Sequence, residues 1–176
     1  MSRYATAALL GLLASVSVTS AGNPVGQRLP SIAAPALTGK PVVLPDSAAG
    51  RITLVGFGFT RPQHDVLDAW LKTYEEAYPD RSRFEYYEVP MMGGGTVRLL
   101  GSFINMMMKK GLPRQRHQRT MPFYEDYGAY AAALGMADRR VHLFLLDRSG
   151  IIRWQDSGAV TPAGLTRLES IISGLD

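Results

Sequence analysis

Thr60-Arg61-Pro62-Gln63 is the stretch of this chain best placed to do chemistry. It lies between an apolar run, Ile52 to Phe59, that reads as a buried central strand, and a segment of helical periodicity from His64 to Tyr78. A strand that feeds a helix through a short turn sets its turn residues at the helix N-terminus. A thiol pKa is lowered there, and free N–H groups bind anions there. The sequence contains no cysteine, so thiolate chemistry has no nucleophile. Arg61, Gln63 and His64 remain as an anion site, or as a solvated turn that satisfies the helix end.

Other candidates are weaker in chemistry. Arg114, Arg116, His117 and Arg119 follow Lys109 and Lys110 and form the densest basic run. The run fits docking to an acidic client or to anionic lipid, and equally a solvated loop held by surface ion pairs. Met106-Met107-Met108, with Met91 and Met92 upstream, is soft enough for Cu(I) and adaptable enough for a client groove. The plainer reading puts Met107 and Met108 in a helix core and Met91 and Met92 in a loop. His64, His117 and His142 lack metal-ligand spacing, and Gly93-Gly94-Gly95-Thr96 lacks the lysine of a phosphate loop. No metal or cofactor is expected.

The elements that hold these residues follow from periodicity. Pro41–Leu44 reads as a short edge strand, and Phe84–Val89 as a second central strand rich in aromatics. Thr96 is expected to cap a helix with Val97, Leu100, Phe103, Ile104, Met107 and Met108 on its apolar side, ended by Gly111 and Pro113. Asp126 can start a short helix through Leu134. Val141–Asp147, the turn Arg148-Ser149-Gly150 and Ile151–Trp154 read as a hairpin. Thr161-Pro162 begins a last helix that buries Leu165, Leu168, Ile171, Ile172 and Leu175. Strands and helices alternate, which predicts an α/β sandwich with the Ile52, Phe84 and Val141–Trp154 strands in one sheet and helices on both faces.

The chain has 176 residues, 46% hydrophobic and 19% charged, which suits one domain with a real core. A formal charge of +4 is too diffuse to argue for nucleic acid. Arg3, the apolar Ala5–Val18 and the small residues Thr19-Ser20-Ala21 form the pattern of a secretory signal peptide, residues 1–21, cleaved after Ala21. The same run kept as a membrane anchor is the alternative. Residues 22–36, rich in Pro, Gly and Ala, read as an extended lead-in to a single domain over 37–176. The protein is expected to be exported, either periplasmic or on the outer face of the inner membrane.

Two stretches carry a family resemblance. Gly39–Leu44 with Gly50–Phe57, and Leu143–Trp154, resemble the opening and closing segments of the exported thioredoxin-like superfamily. That likeness implies a three-layer sandwich whose mixed central sheet is flanked by helices. Two hallmarks are missing: the Cys-x-x-Cys is replaced by Thr60–Gln63, and the cis-proline before the Val141 strand is replaced by Arg140. Leu112-Pro113, Arg116-His117-x-Arg119 and Ile152-Arg153-Trp154-x-x-Ser157-Gly158-x-x-Thr161-Pro162 are similar to the F-type ATP synthase assembly factors, whose mitochondrial members are chaperones for subunit a. This resemblance implies a cysteine-free exported bacterial relative. It would be a redox-inactive binding protein, not an enzyme, acting on a protein client such as a membrane ATP synthase subunit, with peripheral contact to an anionic membrane. A periplasmic peroxiredoxin- or reductase-like enzyme using non-thiol residues, and a small-ligand or metal binder, are the alternatives from other classes.

Overall fold

Among the strands, β3 (Ile52–Gly58) is the central one, and every residue from Ile52 to Phe57 is buried. Its alternation decides the layers, because successive side chains point to opposite faces. Ile52 and Leu54 enter one apolar cluster, while Val55 and Phe57 enter the other. The computed structural model describes residues 23–136 and 138–175, so the stretch 1–21 expected to be a signal peptide lies outside the described residues.

β3 leads into α1 (His64–Ala77), which returns the chain to β4 (Phe84–Pro90), parallel to β3. β5 (His142–Leu146) lies antiparallel on the other side of β3, and β6 (Ile152–Ser157) pairs antiparallel with β5. The sheet order is β4-β3-β5-β6. The three predicted strand regions therefore share one sheet. α1 and α5 (Pro162–Leu175) cover one face through Leu67, Trp70, Leu71, Leu168 and Ile172. The other face is covered by a two-stranded sheet of β1 (Ile32–Pro35) and β2 (Pro41–Leu44), by Met121 and Phe123, and by α4 (Gly128–Ala133). The predicted edge strand Pro41–Leu44 thus pairs with β1 and not with the main sheet.

The segment ahead of β1 is already woven in. Leu29 and Ile32 are buried in the core, and Arg28 bridges to Ile151 beside β6. Past β4 the chain forms a short turn of helix, α2 (Thr96–Leu99), then α3 (Gly101–Gly111). The single helix expected from Thr96 is broken at Leu100, and Gly95 with φ +67° precedes it, so Thr96 is its first residue and not its cap. No helix among the described residues is long and apolar enough to cross a membrane.

Gly56 explains how closely α1 lies on the sheet. A Cβ at this position would stand 2.3 Å from Leu67 Cδ1, and Leu67 is itself fully buried. Gly56→Ala is expected to lower stability by about 1–3 kcal/mol through overpacking, read as a lower denaturant midpoint at unchanged slope.

Candidate functional site

The Thr60–Gln63 turn opens α1 with a 3-10 turn over Arg61–Gln63. Thr60, Arg61 and Pro62 are exposed, and Gln63 and His64 are half-buried. Gln63 does the local work. Its Oε1 accepts from the backbone N–H of Phe59 at 2.8 Å and of Thr60 at 3.2 Å, and its Nε2 donates to the carbonyl of Arg139. One amide side chain thus ties the turn to the segment just before β5, where the missing proline would have stood. Sequence reading took Gln63 for a turn residue, because its distant partner lies 76 positions away in the chain.

His64 Nδ1 lies 3.2 Å from Glu88 Oε1, and Glu88 is buried at the end of β4. The hydroxyl of Thr120 sits 3.3 Å from the other carboxylate oxygen. The hydrogen bond to Glu88 raises the His64 pKa above the ordinary histidine range; burial opposes this, and the charges of Glu88, Asp68 and Asp65 reinforce it. The other histidines are elsewhere: His117 contacts the Leu112 carbonyl at 3.0 Å, and His142 the Asp138 carbonyl at 2.9 Å. No group of three metal-ligating side chains converges among the described residues.

The basic run is divided by the fold. Arg116 is buried and ion-paired with Asp68 of α1. Arg119 is 11% exposed at its side chain, donates to Glu85 Oε1 at 2.6 Å and lies over the Tyr86 ring. Glu85 is held on its other oxygen by Arg51 at 2.8 Å. The expectation that Arg116 and Arg119 form an exposed docking surface is therefore corrected. The reason is the backbone around them: Glu88 N–H donates to the Arg119 carbonyl, Met121 N–H to the Glu88 carbonyl and Phe123 N–H to the Pro90 carbonyl. The segment covers the outer edge of β4, so its cations meet the β4 carboxylates. Lys109, Lys110 and Arg114 stay exposed and have no ion-pair partner among the described residues. A groove of about 460 Å³ beside Arg116 is walled by Asp65, Asp68, Glu75 and Glu76 of α1 and by Gly111–Pro113.

A second correction concerns the methionines. Met107 is 51% exposed and Met106 44%, whereas Met91 is buried at 2%. Of the predicted apolar core side of the helix, Leu100, Phe103 and Met107 are exposed and Val97, Ile104 and Met108 are half-buried; Leu99 is exposed as well. No residue of α2 or α3 enters either core cluster. α3 rests on the body through buried Gly101 and through Asn105, whose Oδ1 lies 2.8 Å from the Tyr124 hydroxyl.

The family-motif residues have structural tasks. Trp154 packs edge-on to Trp70 at 5.7 Å, and the Trp70 indole N–H donates to the Gly158 carbonyl at 3.0 Å. Gly158 has φ +84°, which only glycine adopts without strain. Arg153 pairs with Asp147, Ser157 lies opposite His142 in the sheet, and Pro162 opens α5 behind the Thr161 hydroxyl, which accepts from Gly164 N–H at 3.0 Å.

No protein-family model and no curated protein matches the chain. Solved structures do. A protein from Chlorobium tepidum, provisionally named a thiol:disulfide interchange protein DsbE, aligns at 20% identity and TM-score 0.59, over 88% of this chain and 99% of its own. The thioredoxin domain of a thiol-disulfide oxidoreductase from Bacteroides vulgatus aligns at 18% and 0.60, over 86% and 98%. The exposed lipoprotein thioredoxin Etrx1 of Streptococcus pneumoniae aligns at 15% and 0.56, over 82% and 99%. Identities this low show the fold alone, and the fold is thioredoxin-like, as the sequence led one to expect.

Two outcomes are expected from this site. Arg119→Gln, which strips one charged hydrogen bond from buried Glu85, should lower stability by about 1.5–3 kcal/mol; Lys109→Gln, Lys110→Gln and Arg114→Gln together should leave it within about 0.5 kcal/mol. Chemical denaturation of both variants checks this. By NMR titration, His64 should titrate above the ordinary range in the native chain and fall in Glu88→Gln. The stability from this pair is complete below the unfolded histidine pKa and is lost as pH rises through the raised folded value.

Proposed function

We propose that this chain is a redox-inactive thioredoxin-like binding protein, exported and non-enzymatic, that acts on a protein client. The observation that carries this reading is the Thr60–Gln63 turn. It holds no thiol, and its Gln63 side chain is committed on both ends to closing the loop. Thiol–disulfide exchange needs a thiolate with access to its partner, and the exposed side chains of the turn, Thr60, Arg61 and Pro62, supply none. Export is supported by the Arg3–Ala21 pattern and by a fold neighbour named as an exposed lipoprotein.

The finer reading makes a membrane subunit of the F-type ATP synthase the client. It rests on the resemblance of Leu112–Arg119 and Ile152–Pro162 to the assembly factors. Of those residues, Arg116, Arg119, Trp154 and Gly158 have duties inside the fold, so a shared partner would be met by the exposed residues near them. Arg114 is exposed, whereas Arg116 and Arg119 are not.

The test has two arms. The purified chain should show no disulfide-reductase or peroxidase turnover above background; turnover that survives removal of contaminating thioredoxins overturns the binding reading. A photo-crosslinking residue at Arg114 should yield, in membranes of the source organism, an adduct with ATP synthase subunit a. An adduct with another protein alone keeps the binding reading and removes the ATP synthase client.

A further inference from the structure

α3 combines features that a helix of a folded domain rarely shows together. Phe103, Met106, Met107 and Lys110 stand three and four positions apart, so they share one side of the helix. Phe103 is 60% exposed, and Leu99 just ahead of it is 84% exposed. The opposite side, with Gly101 and Asn105, is the one that meets Tyr124. The outward side thus carries exposed, adaptable apolar side chains with Lys110 at its C-terminal end. A contiguous apolar patch of this kind on a soluble domain marks an interaction surface.

The charges around it say what the surface meets. Lys109, Lys110 and Arg114 follow the apolar residues, are exposed and have no ion-pair partner among the described residues. No Asp or Glu occurs between Glu88 and Glu125. A second copy of the same face would bring these cations against like charges. An apolar stripe bordered by unpaired lysines fits a surface whose interior is hydrocarbon and whose rim is anionic. We infer that α2 and α3 form an interfacial anchor that lays Leu99, Phe103, Met106 and Met107 into the headgroup boundary of an anionic lipid bilayer, with Lys109, Lys110 and Arg114 on the lipid phosphates. The anchor rests on the 99–114 segment and stands apart from the client reading.

The cysteine-free sequence makes the test clean. Met107→Cys in the full chain takes a single environment-sensitive fluorophore, and Ser173→Cys, an exposed position of α5, serves as the reference. Met106→Cys replaces Met107→Cys should the latter fail to fold. Emission is followed on vesicles of phosphatidylcholine alone and of phosphatidylcholine with phosphatidylglycerol. The label at 107 should shift to the blue on the anionic vesicles only, and the label at 173 should not shift. Changing Lys109, Lys110 and Arg114 to Gln should raise the lipid concentration for half-maximal shift by about a hundredfold. Four results overturn the anchor: no shift at 107 on anionic vesicles, as for a chain tethered only by its N-terminal apolar run; equal shifts at 107 and 173; equal shifts on neutral and anionic vesicles; or a shift that follows protein concentration without lipid, which marks self-association.

Discussion

Two carboxylates buried in one strand organise the outer half of this molecule. Glu85 and Glu88 lie in β4, where each is almost closed to water. A buried carboxylate is tolerated only with compensating charge or hydrogen bonds. Arg51 and Arg119 close on Glu85, and His64 and Thr120 close on Glu88. These partners come from the start of β3, the start of α1 and the 116–120 segment. Satisfying the two carboxylates therefore fastens three parts of the chain to one edge. The same segment supplies the backbone hydrogen bonds that cover β4, which would otherwise expose a pairing edge.

That arrangement explains which parts of the structure were legible in the sequence. The strands β3 to β6 and the helices α1 and α5 carry their burial in their own periodicity, since one face of each must meet the core. The basic run was not legible in that way. Its charges look like a solvated surface until Glu85 and Asp68, 34 and 48 positions away, are brought beside Arg119 and Arg116. Local composition cannot say which carboxylates a loop will meet.

α3 was misread for a different reason. Its periodicity gives an apolar side, and an apolar side in a globular chain is ordinarily covered. Periodicity reports which residues share a face, not whether anything packs on it. Here Tyr124 and the small residue Gly101 take the other side, and Phe103, Met106 and Met107 on the apolar side are left exposed. The loop ahead of α2, with Gly93 and Gly95 both at positive φ, sets the helix off from the sheet.

The Gln63 clamp carries a consequence for how this chain could change over evolutionary time. Gln63 is the last of the four residues that replace the Cys-x-x-Cys, and it is also the fastening of the turn. A cysteine at position 63 would surrender the contacts to Phe59, Thr60 and Arg139 in one step. The turn would loosen at the moment it acquired a thiol, and selection would see the loss of order before any gain of reactivity. A thiol at this position would therefore need a second anchor for the turn to be in place first.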